Sequence, residues 1–195
     1  IYNPGRANII IIDSVFDGNI AASGGALYNR EGIVQIETST FANQYANNRG
    51  GAIHDVAGSQ TIETSTFFNN IARNNGGAIY MGGTLDIENS TLSDNSAGIG
   101  GGINLPSNAS SATITNVTFH KNASSSTGGS YGAALHNIGT ATVHNTIMSG
   151  SLDGRSKDEP LVFESVSEGT IIRQQLFAGN WISGFCFRDI VKENP

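Results

Sequence analysis

The sequence predicts an all-β fold, a right-handed parallel β-helix of about seven coils of 25–29 residues with a C-terminal cap. Three observations lead there. An apolar-x-x-Asn unit recurs at Phe16–Asn19, Phe41–Gln44, Phe67–Asn70, Leu92–Asn95, Phe119–Asn122 and Phe177–Asn180, with a weaker copy at Met148–Ser151. Its apolar anchors are 25, 26, 25, 27, 29 and 29 residues apart. A glycine-rich unit follows five of them, at Gly24–Leu27, Gly50–Ile53, Gly76–Ile79, Gly100–Ile103 and Gly132–Leu135. Between the two units the residues alternate with period two and show no helical period. A fixed period of this size makes each repeat one turn of a solenoid.

Each element of a coil can be read in order. Ile11, Ile36, Ile62, Ile87, Ile114, Val143 and Ile172 form an inward column. Two residues earlier stand Ile9, Val34, Gln60, Leu85, Ala112, Ala141 and Thr170, mostly apolar, as a strand with one buried face requires. Two residues later, Asp13, Thr38, Thr64, Asn89, Asn116, Asn145 and Gln174 make a polar ladder at a bend, where short side chains bond each other and free backbone groups. The Phe column then points back inside, and the glycine pairs mark a second bend before a short strand. Leucine-rich, hexapeptide and calcium-loading nonapeptide repeats are excluded because their spacings are absent. Residues 1–180 are the β-helix. Residues 181–195, with Trp181, Ile182, Phe185, Phe187, Ile190 and Val191, form a capping segment of the same domain. At the other end Ile10 and Ile12 occupy columns that face outward elsewhere, so a preceding segment or a partner is expected to cover them.

Composition narrows the partners. A net charge of −6 with 13% charged residues argues against nucleic acid, which needs clustered Lys and Arg. No apolar run approaches the ~20 residues of a membrane-spanning helix. Cys186 is the single cysteine, so no intramolecular disulfide forms, and it reads as a small buried hydrophobe. The first residue is Ile rather than Met, which reads as a chain cut from something longer. Such a chain suits an extracellular or bacterial cell-surface location.

Chemistry could sit in two outward columns. One reads Ile12, Glu37, Glu63, Glu88, Thr115, His144, Arg173, with Asp86 beside Glu88 on the same face. Four stacked carboxylates repel unless water screens them or a cation neutralises them, and calcium is the candidate ion for Glu37, Glu63, Asp86 and Glu88. No cofactor is required by these patterns. The other column reads Tyr28, His54, Tyr80, Asn104, His136: rings that can stack on sugars or on each other, with Tyr28, His54, Tyr80 and His136 as ligand-binding candidates. Extra residues at 105–111, 123–131 and 152–168 are candidate binding loops at the corners. Four Asn-x-Ser/Thr acceptor patterns begin at Asn89, Asn108, Asn116 and Asn122; Asn89 and Asn116 fall in the corner ladder, leaving Asn108 and Asn122 as the ones expected to be usable.

Alternating Gly-Gly-Ala-Ile and Phe-x-x-Asn units resemble the repeats of the polymorphic outer membrane proteins, surface autotransporter passengers of chlamydiae, and of related bacterial surface β-helix proteins. The resemblance spans roughly residues 9–180 and implies the fold and a role in adhesion. The expected function is therefore an adhesin-like or structural module that engages a glycan or cell-surface protein through a flat face. A calcium-dependent polysaccharide lyase or hydrolase is the alternative, with His144 or Arg173 as base. A filament subunit assembled by end-to-end self-association is the third. The enzyme question stays open and leans to no, because the base lies two to three coils from the carboxylates.

Overall fold

A computed structural model describes residues 1–125 and 132–151, together with the backbone of the strands Phe163–Ser165, Thr170–Arg173 and Leu176–Ala178. The chain winds as a parallel β-solenoid without helix among these residues. The second coil shows the plan: Leu27–Asn29, Ile33–Glu37, Thr40–Ala42 and Tyr45–Ala46 are four short strands, each stacked on its counterparts in neighbouring coils. We number the resulting sheets one to four in that order. The first three sheets have seven strands and the fourth has five. Five turns are thus complete, whereas the spacing predicted seven coils. The sixth and seventh rungs are present in three sheets only. The capping segment 181–195, Cys186 and the loops 126–131 and 152–162 lie outside the described residues.

The sequence columns are the strand registers. Ile62 pairs with Ile36 and Ile87, and Gln60 with Val34 and Leu85, all buried. Phe16, Phe41 and Phe67 stack at 4.9 Å between ring centroids, with interplanar angles of 6° and 4°. Leu92, Phe119 and Met148 continue the row in one hydrophobic core. Burying a Phe or Leu side chain contributes about 1.5–3 kcal/mol, so this shared core outweighs the modest helix or strand preference of any single coil.

Between sheets two and three the bend falls where the polar column predicted it. Asp13, Thr38, Thr64, Asn89, Asn116 and Asn145 all have left-handed backbone, with φ between 46° and 55°. Side-chain bonds hold part of the corner: Asn116 Nδ2 donates to Asn89 Oδ1 at 3.1 Å and Asn145 Nδ2 to Asn116 Oδ1 at 2.6 Å. The following serines seal it. Ser39, Ser65 and Ser90 hydroxyls each donate to the carbonyl two residues earlier, at 2.7–2.8 Å. In turn they accept the backbone N–H of the serine one coil before.

The Asn that ends each apolar-x-x-Asn unit is a second, internal ladder. Asn70, Asn95 and Asn122 are fully buried, and each Nδ2 donates to the carbonyl of an apolar anchor, Phe41, Phe67 and Leu92 in turn. Asn122 therefore cannot serve as an acceptor for glycan addition, contrary to the sequence expectation. Asn89 and Asn116 are exposed although they sit in the corner ladder.

The first coil differs from the rest. Its strands are terminal in every sheet, and Ile10, Ile12, Val15 and Ile20 are between 51% and 75% exposed. Corresponding positions one coil on are Gln35, Glu37, Thr40 and Tyr45. Ile10 and Ile12 thus face outward as the sequence columns imply, and Val15 and Ile20 extend them into an apolar collar.

Candidate functional site

Sheet two carries the carboxylates. Parallel pairing places Glu37, Glu63 and Glu88 in one outward row, with Asp86 in the neighbouring row beside Thr61 and Thr113. Glu37, Glu63 and Asp86 are exposed and Glu88 is half-buried. None of the four joins an ion pair among the described residues, where the salt bridges are those of Arg6 and Arg30 with Glu31. Also among the described residues, no three His, Cys, Asp or Glu side chains gather closely enough to hold a metal ion. The row continues through Thr115 to His144 and then Arg173. His144 is half-buried; for Arg173 only the backbone is described. At ~4.8 Å per rung, His144 stands about 10 Å and Arg173 about 14 Å from Glu88 along the sheet.

Sheet one carries the rings, in the register the sequence predicts, Tyr28, His54, Tyr80, Asn104, His136, and adds Tyr2 before Tyr28, which the sequence reading missed. Their exposure is not uniform. Tyr2 is exposed and Tyr28 half-buried, but His54, Tyr80 and His136 are buried. His54 meets Tyr28 and Tyr80 edge-on, with centroids 5.0 Å and 4.8 Å apart. Arg49 lies over Tyr80, its guanidinium carbon 5.0 Å from the ring centroid. Two residues before the rings, Ala26, Ala52 and Ala78 belong to the core. Burial, with the Arg49 charge adding to it, pushes the His54 imidazole down to about 4, and burial alone does the same to His136. Both are neutral in the fold at pH 7. Their contribution to stability is complete above the ordinary histidine value of 6.5 and is lost as pH falls toward 4.

One buried polar centre has no counterpart in the sequence reading. Asp55 is fully buried. Its carboxylate accepts from Asn29 Nδ2 at 2.6 Å, the Gly58 N–H at 2.6 Å and Gln60 Nε2 at 3.0 Å. Asn29 in turn accepts from Asn3 Nδ2 at 2.8 Å. The available signal was Gln60, the polar residue in an otherwise largely apolar inward column. Desolvation raises the Asp55 carboxyl above its ordinary value, against the lowering effect of the three donors. The folded state therefore holds a proton to higher pH than the unfolded state. Asp55 contributes most below about pH 4, and that contribution is lost as pH rises through its folded pKa. In Asp55→Asn one amide oxygen cannot serve every donor, because Asn29 and Gln60 both reach Oδ2 whereas the Gly58 N–H reaches Oδ1, so either orientation turns the amide nitrogen toward a buried donor. The variant is expected to be less stable than the parent at pH 7 by about 1–3 kcal/mol, with the gap widening toward pH 4, where the Asp55 contribution is complete. Urea unfolding at the two pH values checks this; a variant as stable as the parent at pH 7 refutes it.

Comparison with known proteins gives one match. The Chlamydia polymorphic membrane protein (Chlamydia_PMP) repeat matches residues 13–30 and 64–82. Both segments run from a left-handed corner residue, Asp13 or Thr64, through the Phe anchor and the glycine pair to the ring strand. No curated protein and no solved structure matches the chain. No helix among the described residues is long and apolar enough to cross a membrane. The chain is thus a parallel β-solenoid in which two stretches, residues 13–30 and 64–82, are similar to the Chlamydia polymorphic membrane protein repeat.

Proposed function

We propose that this chain is a surface-displayed binding module that engages a glycan or a cell-surface protein with the outside of its solenoid and leaves the ligand chemically unchanged. The register of sheet two carries the reading. Backbone pairing from Glu88 through Thr115 and His144 to Arg173 spaces the candidate acid and base by about 10–14 Å, too far for direct proton transfer. Such a face is an array of separate polar groups, suited to recognition. The matched repeats, named for a membrane protein of a bacterium, support placement at a bacterial surface or outside the cell. A hard cation such as calcium, held by no more than two of Glu37, Glu63, Asp86 and Glu88 at a time, would relieve their repulsion and bridge to an acidic ligand. The apolar collar of the first coil favours a second reading, end-to-end assembly of copies into a filament.

One experiment separates these readings. The protein is incubated with a panel of uronic-acid and neutral polysaccharides, with and without calcium. Retention is measured on immobilised polysaccharide, soluble products by mass spectrometry, and particle mass by light scattering across concentration. Retention without new oligosaccharides is expected. Products that disappear in Glu88→Gln would overturn the reading in favour of an enzyme. Mass that grows with concentration, without retention, would favour the filament.

A further inference from the structure

We propose that the corner between sheets four and one is a subsite for an acidic glycan, with Arg49 as the residue that takes its carboxylate; this rests on the binding-module reading above. The carboxylate rows occupy the outside of sheet two, whereas Arg49 and Arg73 stand at the corner between sheets four and one. Arg49 bridges to Asn75 just before the ring strand Ile53–Asp55, and the Arg73 N–H donates to Ala46 O one coil earlier. Both arginines are exposed, and neither guanidinium has a carboxylate or hydrogen-bond partner among the described residues. Arg6 and Arg30 differ in this respect, since both are paired with Glu31.

Arg49 is also held in place. Its guanidinium rests on the Tyr80 ring, a contact worth about 0.5–1 kcal/mol at an exposed site. Tyr80 is fixed by the edge-on His54, and His54 by the edge-on Tyr28. A guanidinium stacked on a ring keeps its N–H groups free in the plane of the fork, where a carboxylate binds in bidentate fashion. Two rungs from Tyr80 in the same row, beyond His54, the half-buried Tyr28 offers a hydroxyl that makes no hydrogen bond within the described fold, a further donor. In the same row the exposed Tyr2 is tilted 30° from Tyr28 at 5.2 Å. A sugar can stack there. Donors, one fixed cation and an open aromatic ring along one line describe a receptor for an extended chain of acidic sugars lying parallel to the solenoid axis. A neutral glycan would gain nothing from the cations.

The test uses tetragalacturonic acid and its methyl ester, which share ring, linkage and length and differ in charge. Binding is followed by calorimetry and by shifts of backbone amide resonances. The acid is expected to bind about ten-fold more tightly than the ester, the size of one charge-assisted contact. Arg49→Gln should erase that ratio while leaving the ester's affinity unchanged. Arg49→Lys should keep part of it, because charge remains and the fork is lost. Tyr28→Phe should weaken both ligands equally. Melting curves confirm that the variants fold, as expected for exposed side chains that leave the backbone bridge in place. Equal binding of acid and ester, or an unaltered ratio in Arg49→Gln, overturns the subsite. If the parent still retains another polysaccharide from the panel in those cases, the binding-module reading survives. Binding of nothing at all removes both.

Discussion

Gly77→Ala is expected to destabilise the solenoid by roughly 3 kcal/mol or more, and to depress soluble expression. The glycine pairs serve two different needs. The first glycine of each pair has left-handed backbone: Gly24, Gly50, Gly76 and Gly100 all have φ between 62° and 67°. The second does not, and is glycine because of what lies above it. A Cβ on Gly77 would overlap the carbonyl oxygen of Gly101 and stand 2.6–2.7 Å from the backbone of Ser96. Gly51 has the same relation to Gly77 and Ile71, and Gly101 to Ala123. All the obstructing atoms are main chain, so no side chain can swing aside. Relief requires prising apart two coils whose pairing runs through four sheets. Gly5→Ala is the control, because nothing lies within 4 Å of a Cβ there. Urea unfolding of the two variants checks the contrast. A Gly77→Ala loss below 1 kcal/mol would show that neighbouring coils separate easily, and the close stacking would then not be what selects glycine.

Much of this architecture was legible in advance because a solenoid repeats its constraints. A bend that needs left-handed backbone needs it in every coil, so Asp13, Thr38, Thr64, Asn89, Asn116 and Asn145 line up in sequence before they line up in space. Register followed from the same columns, and with it the rows of Glu37, Glu63 and Glu88 and of Tyr28, His54 and Tyr80. Burial was harder to read. Period two assigns a side of the strand, but it cannot say whether something else covers that side. His54 and Tyr80 face outward and are nonetheless buried, in part because Arg49 folds back onto Tyr80. That contact joins residues 31 positions apart with no repeating partner, since Asn75 and Ile99 occupy the Arg49 position in later coils. Asp55 escaped notice for a related reason. It stands in a mixed column with Asn3, Asn29, Met81, Leu105 and Asn137, and its partner Gln60 is, with Thr170, one of two polar residues in an otherwise apolar column. Columns reveal what recurs, whereas a site that occurs once must be found in three dimensions.

Asn95→Ala is expected to cost roughly 2–6 kcal/mol, more than its loss of volume alone would suggest. Asn95 is fully buried and is bonded on both sides. Its Nδ2 donates to Phe67 O and to Asn122 Oδ1, both at 3.0 Å. Its Oδ1 accepts from the Asn70 N–H at 3.0 Å and from Asn70 Nδ2 at 2.9 Å. Alanine removes both functions and leaves at least the Asn70 N–H and the Phe67 carbonyl without the bond that Asn95 supplied, each costing about 1–3 kcal/mol when buried. The neighbouring exposed ladder provides the comparison. Asn69 Nδ2 donates to Asn43 Oδ1 at 2.7 Å, but water can replace that bond, so Asn69→Ala should cost about 1 kcal/mol, chiefly from its left-handed backbone. Asn95→Asp sharpens the test. An aspartate keeps the acceptor for Asn70 but turns an oxygen toward Phe67 O and Asn122 Oδ1, so the charged form has nowhere to place its second oxygen. Burial should raise that carboxyl, and the variant should recover stability as pH falls and the acid can donate again. Unfolding curves of Asn95→Ala and Asn95→Asp at pH 4 and pH 7 decide the matter. A flat response in Asn95→Asp, or an Asn95→Ala cost no greater than that of Asn69→Ala, would mean that the internal asparagines fill space and that the hydrophobic stack alone holds the coils together.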